Sequence, residues 1–160
     1  MTGLIFPATA LAMLGTGLFA GFLFAFSNVV MPSLARQDAP AAIRTMQTIN
    51  VVVENVLFGI LLAGTTLLAI ALGVFAIVNF AAPAAPLLLA GSAAYLLGGV
   101  GVTAIVNVPM NRRLARVDSL GHQATEAWHG FVGRWVVWNH VRTVASALAT
   151  LAYGLALAQL

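Results

Sequence analysis

Residues 55–111 read NVLFGILLAGTTLLAIALGVFAIVNFAAPAAPLLLAGSAAYLLGGVGVTAIVNVPMN, 57 consecutive positions without one charged side chain. A helix that crosses a bilayer needs about 20 apolar residues. This stretch therefore holds two crossings and a turn. Pro83 and Pro86, set among small residues, place the turn at residues 79–86, because proline is costly in a helix interior. Working outward, residues 2–35 and residues 143–160 are also uncharged, and each holds one more span. The expected architecture is an all-α, four-helix transmembrane bundle forming a single domain over residues 1–160. Its spans fall at 4–34, 51–78, 86–109 and 134–158. Asp38 and Pro40 mark the start of a short helix, 40–50, that runs into the second span. The fourth helix is expected to begin near residue 122.

Composition excludes the other classes. The chain has 160 residues with seven Arg, no Lys, two Asp and two Glu, so charged residues make up 7% and hydrophobic ones 61%. A soluble domain carries about 25% charged residues. Mean hydropathy is +1.00, which rules out disorder as well. With no cysteine there is no disulfide framework, thiolate metal site or cysteine nucleophile. The pI of 10.7 reflects seven arginines against four acids and does not point to nucleic acid. Met1-Thr-Gly-Leu lacks the positive leading region of a signal peptide, so the first span is expected to be retained.

Arginine placement sets the expected orientation. Arg36 and Arg44 lie between spans one and two, and Arg112, Arg113 and Arg116 between spans three and four. Positive loops stay inside, so loops one and three are expected to be cytoplasmic and both termini outside. The expected location is a bacterial plasma membrane, and the bilayer is the first partner. Small-residue faces on spans one, three and four predict a homo-oligomer, because glycine and alanine let helices approach closely. Gly98-Gly99-Val100-Gly101 reads as such a packing surface and not as a phosphate loop.

Polar side chains inside a bilayer are costly and face a bundle interior or a cavity. Here they gather toward one side: Ser27 and Asn28, Gln47, Asn50, Glu54 and Asn55, Thr103, Asn107 and Asn111, then Arg134 to Arg142. On span four, Phe131, Trp135, Trp138, Asn139 and Arg142 fall on one stripe, and His122, Glu126, His129 and His140 on another. A shared polar pocket in the cytoplasmic half is the central expectation. The plainer reading gives the Asn and Thr residues an assembly role and makes the Trp and Arg residues interface anchors.

Metal chemistry has little support. Glu126-x-x-His129 has di-iron spacing, but the chain lacks the other carboxylates such a site needs. His122, His129 and His140 cannot meet at one ion on one helix, since His140 lies about 16 Å beyond His129. No cofactor is expected. The metal alternative is a mononuclear copper or iron site at His140 and Glu54.

Four segments together resemble one family: Phe24-Ala-Phe-Ser-Asn-Val-Val-Met-Pro32, Met46-Gln-Thr-Ile-Asn50 with Asn55, Thr103 followed by Asn107-Val-Pro-Met-Asn111, and Trp135-Val-Val-Trp-Asn-His-Val-Arg-Thr143. The chain resembles the integral-membrane family whose best-known fungal members are anthrone oxygenases. The resemblance runs through all four spans. It departs at Val56, where the family pattern has proline, and Glu126 and His129 match no family position. What it implies is oxidation of a polyketide anthrone by dioxygen to an anthraquinone. In that light His140 is the candidate base, with Arg142, Asn139, Asn107 and Glu54 completing the catalytic set. Trp135 and Trp138 would form the walls of a flat slot, with Asn111, Asn50, Asn55 and Ser27 also binding substrate.

The leading expectation is a membrane oxygenase or oxidase acting on an apolar, aromatic or quinone-like small molecule. The alternatives are a non-catalytic membrane subunit or small-molecule binder, and a transporter or proton-conducting bundle. The lack of an internal repeat weighs against a transporter.

Overall fold

A computed structural model describes residues 2–160. All elements among them are helical. The first rod starts as α1 (Thr2–Ala25), passes through a π-helical stretch, Phe26–Val30, and ends in one further α turn, Met31–Leu34. A tight turn leads to α2 (Ala39–Val52), whose first turn is capped by the Asp38 carboxylate accepting from the Ala41 N–H at 2.7 Å. The next helix is α3 (Val56–Val78). The third rod begins with α4 (Ala85–Ala93), continues through π-helical Ala94–Gly101 and Thr103–Asn107, and finishes at Val108–Leu114. The chain closes with α5 (Ala124–Leu157), a single helix of 34 residues.

Helices α2 and α3 are not continuous, contrary to the expected second span from 51. The backbone of Asn55 is extended (φ −113°, ψ 164°), and its side chain accepts from the Phe58 N–H at 3.0 Å. An asparagine N-cap starts a new helix by satisfying an orphan donor. The short helix therefore stops at Val52 and the apolar one starts at Val56, with Val53–Asn55 as a break between them.

Three rods are long and apolar enough to cross a membrane: Gly3–Leu34, Val56–Val78 and Ala85–Leu114. The sequence reading expected four. Helix α5 falls short on composition, because its first half carries Glu126, His129, Arg134, Asn139, His140 and Arg142.

The surface is apolar, and the interior mixes apolar packing with buried polar side chains. Leu4, Leu18, Val56, Leu57, Leu67, Ile77, Leu97, Ile105 and Leu148 are all exposed, while Thr9, Thr16, Ser92, Asn107, Asn139, Arg142 and Ser146 are buried. Two apolar clusters organise the interior. One, around Phe19, Leu72, Leu88, Tyr95 and Tyr153, joins α1, α3, the third rod and the C-terminal half of α5. The other, around Met31, Ile43, Met46, Leu114, Trp128 and Trp135, seats α2 across the opposite end. Helix α5 runs through both on one stripe, burying Trp128, Phe131, Trp135, Asn139, Arg142, Ser146, Ala149 and Tyr153.

Candidate functional site

Two prolines shape the site. Pro32 follows the π-helical stretch of the first rod, and Pro109 follows the second such stretch of the third. A proline ring presses on the carbonyl four residues back and offers no N–H. In both places the residue before the proline donates one position further than in an α-helix: Met31 N–H to the Phe26 carbonyl, and Val108 N–H to the Thr103 carbonyl. The widened turn accommodates the ring, a local adjustment common in membrane helices and at functional sites. Each of these two turns buries one residue, and it is a polar one: Ser27 in the first rod and Asn107 in the third.

Between these turns and α2 lies a cavity of about 560 Å³. That falls within the range of small-molecule sites. Phe19, Phe22, Phe26, Phe58 and Trp135 supply an aromatic lining. Polar groups enter from α2 and the break after it (Gln47, Asn50, Glu54, Asn55), from the third rod (Thr103, Asn107, Asn111, Arg112) and from α5 (Arg142).

Arg142 is the centre of the arrangement. Its side chain is only 5% exposed. Its guanidinium donates to Thr103 Oγ1 at 3.2 Å and to Asn139 Oδ1, and lies 5.4 Å from the centre of the Trp135 ring. Both hydrogen-bond partners are neutral. A buried charge is costly unless it is paired. The cation–π contact and two neutral acceptors offset only part of that cost. Among the described residues, Arg142 Nε, Asn107 Oδ1 and Asn50 Nδ2 have no hydrogen-bond partner although they are buried.

The supporting contacts are well formed. Asn139 donates to the Leu23 carbonyl at 2.7 Å and to Ser27 Oγ at 2.6 Å, which ties α5 to the first rod and fixes the oxygen that Arg142 uses. Trp135 Nε1 donates to Asn111 Oδ1 at 2.8 Å, so the indole is held edge-on to the third rod. Gln47 donates to the carbonyls of Leu114 at 2.9 Å and Val117 at 3.1 Å, fastening α2 over the cavity.

The expected residues divide accordingly. Arg142, Asn107, Asn111, Trp135, Asn50, Asn55 and Glu54 all line the cavity. Asn139 and Ser27 are buried and outside the cavity lining, linked to Arg142 in a chain in which the guanidinium donates to Asn139 and Asn139 donates to Ser27. His140 and Trp138 are exposed and outside the cavity lining. The buried stripe of α5 is centred near Trp135, and at about 100° per residue His140 falls about 140° from it. Glu54 does not pair with Arg142, whose acceptors are Thr103 and Asn139. The proposed copper or iron pair is also separated, since Glu54 lines the cavity and His140 does not. Among the described residues no three His, Cys, Asp or Glu side chains are gathered to hold a metal ion.

The sequence reading missed the phenylalanines. Phe19, Phe22 and Phe26 recur at helical spacing, and with Phe58 they form much of the wall. That periodicity was available as a signal in the first span. Gln47 was placed in the polar cluster but not given its role as a tether.

A family model described as anthrone oxygenase matches residues 46–152. The match takes in every polar residue of the cavity and leaves the first rod outside it. No curated protein and no solved structure matches the chain.

Proposed function

The chain belongs to the anthrone oxygenase family, and from that premise we propose that it is a membrane-embedded oxygenase whose substrate is a flat, apolar aromatic ketone of the anthrone type. The observation that carries this reading is the buried Arg142 guanidinium, without a carboxylate partner, on the wall of a cavity that also carries five aromatic rings. An anthrone has an acidic methylene opposite its carbonyl. Loss of a methylene proton moves negative charge onto the carbonyl oxygen, and a cation held in a low-dielectric site stabilises that charge.

Among the described residues Glu54 is the only carboxylate lining the cavity, so the base role falls to it and not to His140. The electron-rich enolate reacts with dioxygen, forming a carbon–oxygen bond and a peroxide that takes up a proton. Removal of the second methylene proton as the O–O bond breaks leaves a carbonyl and releases water. The sum is one anthrone and one dioxygen to one anthraquinone and one water. Trp135 and the phenylalanines hold the rings, and Asn107 and Asn111 offer further polar contacts.

The same proposal places α5 in the bilayer as a fourth span. Its outer face beyond Arg134 presents Val137, Val141, Val144, Leu148, Leu151 and Leu155. The cavity then sits toward the side marked by Arg36, Arg44, Arg112, Arg113 and Arg116, the cytoplasmic side by the positive-inside rule.

Oxygen uptake by purified protein in proteoliposomes supplied with anthrone tests the reading. Anthraquinone should form faster than by spontaneous oxidation, and Arg142→Met should remove the excess. Anthrone binding without oxygen uptake would return the protein to the non-catalytic binders.

A further inference from the structure

A second recess of about 630 Å³ adjoins the cavity, between the first rod, α2 and α3. It shares Phe22, Phe26, Ile49, Val53, Asn55 and Phe58 with the cavity, so the two spaces meet along a common wall. The rest of its lining is its own: Leu18, Thr48, Val52, Leu57 and Leu61. Leu18, Val52 and Leu57 are 55%, 65% and 78% exposed, which puts the outer lip on the apolar surface of the bundle. The recess lies where the helical backbone is interrupted at Val53–Asn55, so no continuous helix closes that side.

The common wall is aromatic. Phe22 lies 4.8 Å from Phe26 and 5.1 Å from Phe58, ring centre to ring centre, and all three are half-buried. Phenylalanine turns about only two side-chain torsions, and partly exposed rotamers exchange in picoseconds to nanoseconds.

We propose that this recess is the entry port through which the substrate reaches the cavity laterally from the bilayer, with Phe22, Phe26 and Phe58 as its gate. This rests on the reading of the cavity as a seat for a flat aromatic ligand. The ligand class follows from the lining: a planar, uncharged lipophile already dissolved among acyl chains passes an apolar lip and an aromatic gate, and gains its charge only beside Arg142. Thr48 and Asn55 are the polar exceptions in the port.

The chain has no cysteine, so a single one is an addressable plug. Leu57→Cys lies in the port and not in the cavity lining; Val144→Cys, on the exposed face of α5, is the control. Each variant is reconstituted in vesicles and treated with a benzyl methanethiosulfonate, and anthraquinone carried in added vesicles is the probe. Quenching of tryptophan fluorescence that is lost in Trp135→Phe reports arrival in the cavity. Plugging at residue 57 should slow arrival by about tenfold or more, leave the final extent of quenching within about threefold, and be reversed by reductant, while the control is unchanged. An unaltered rate with the plug overturns the port, including the case in which a lipid chain fills the recess. A loss of final binding also overturns it, because the recess would then be part of the seat. No quenching in the unplugged protein sinks the ligand reading itself, and the port with it.

Discussion

The two ends of the bundle are built from the same helices but packed by opposite rules. At the end around Tyr95 and Tyr153 the helices close on small residues. A Cβ on Gly98 would collide with Ala145, one on Gly15 with Thr65, and one on Gly91 would press on the Tyr153 ring. Some hydroxyls there pair across helices, Ser92 with Tyr153 at 3.0 Å and Thr150 donating to Thr16 at 2.9 Å, while the Tyr95 hydroxyl and Ser146 Oγ have no partner. At the other end the helices stand apart. Gly59 lines the cavity and a Cβ on it would meet nothing within 4 Å. Widened turns before Pro32 and Pro109 hold polar side chains inward, and partners are left unpaired. Close approach gives cohesion, and open space lined with amide and guanidinium groups gives a site. One chain obtains both by distributing glycine and proline differently along the same rods.

The comparison breaks most readily at the open end. Glu54→Gln should lower kcat for anthrone oxidation by about 10²- to 10⁴-fold, the usual worth of a general base, with the protein still folded by circular dichroism. Full activity in that variant would remove Glu54 from the chemistry. Arg142→Met should lower kcat by about 10²- to 10³-fold, as for loss of an oxyanion donor. Equal losses in kcat and in thermal stability would show that the guanidinium serves assembly instead. At the closed end the order reverses. Gly98→Val should cost about 1–3 kcal/mol through overpacking, seen as a lower unfolding midpoint in detergent, whereas Gly59→Ala should unfold with the wild type. Tyr153→Phe should cost about 1 kcal/mol for its hydrogen bond and leave kcat unchanged. His140→Ala should change kcat by less than about twofold, in keeping with its exposed position. A dead but folded His140→Ala protein would restore the histidine as base.

Much of this contrast is written in the sequence, and some of it is hidden by the rules used to read it. Uncharged runs locate the apolar rods because the bilayer tolerates little else. The meeting of Asn107, Asn111, Trp135 and Arg142 follows from their helical spacing. His140 was placed by chemistry and not by angle: histidine is the usual base near neutral pH, but its neighbour Asn139 already occupies the buried stripe. The break at Val53–Asn55 escaped notice because Glu54 and Asn55 were read for their place in the polar cluster, although asparagine before an apolar run is also an N-cap signal. The aromatic lining was passed over because phenylalanine in an apolar span looks like ordinary packing.

The two widened turns carry a further consequence for how this protein tolerates change in length. A turn closed by an i to i+5 bond holds one residue more than an α turn. Deleting any one residue of Thr103–Asn107 would close that turn to plain α geometry and leave everything downstream in phase, so Asn111 would keep its place opposite the Trp135 indole. What a single-codon loss there removes is the slack that accommodates the Pro109 ring, and each widened turn is a place where the rod can shed a residue without losing its register.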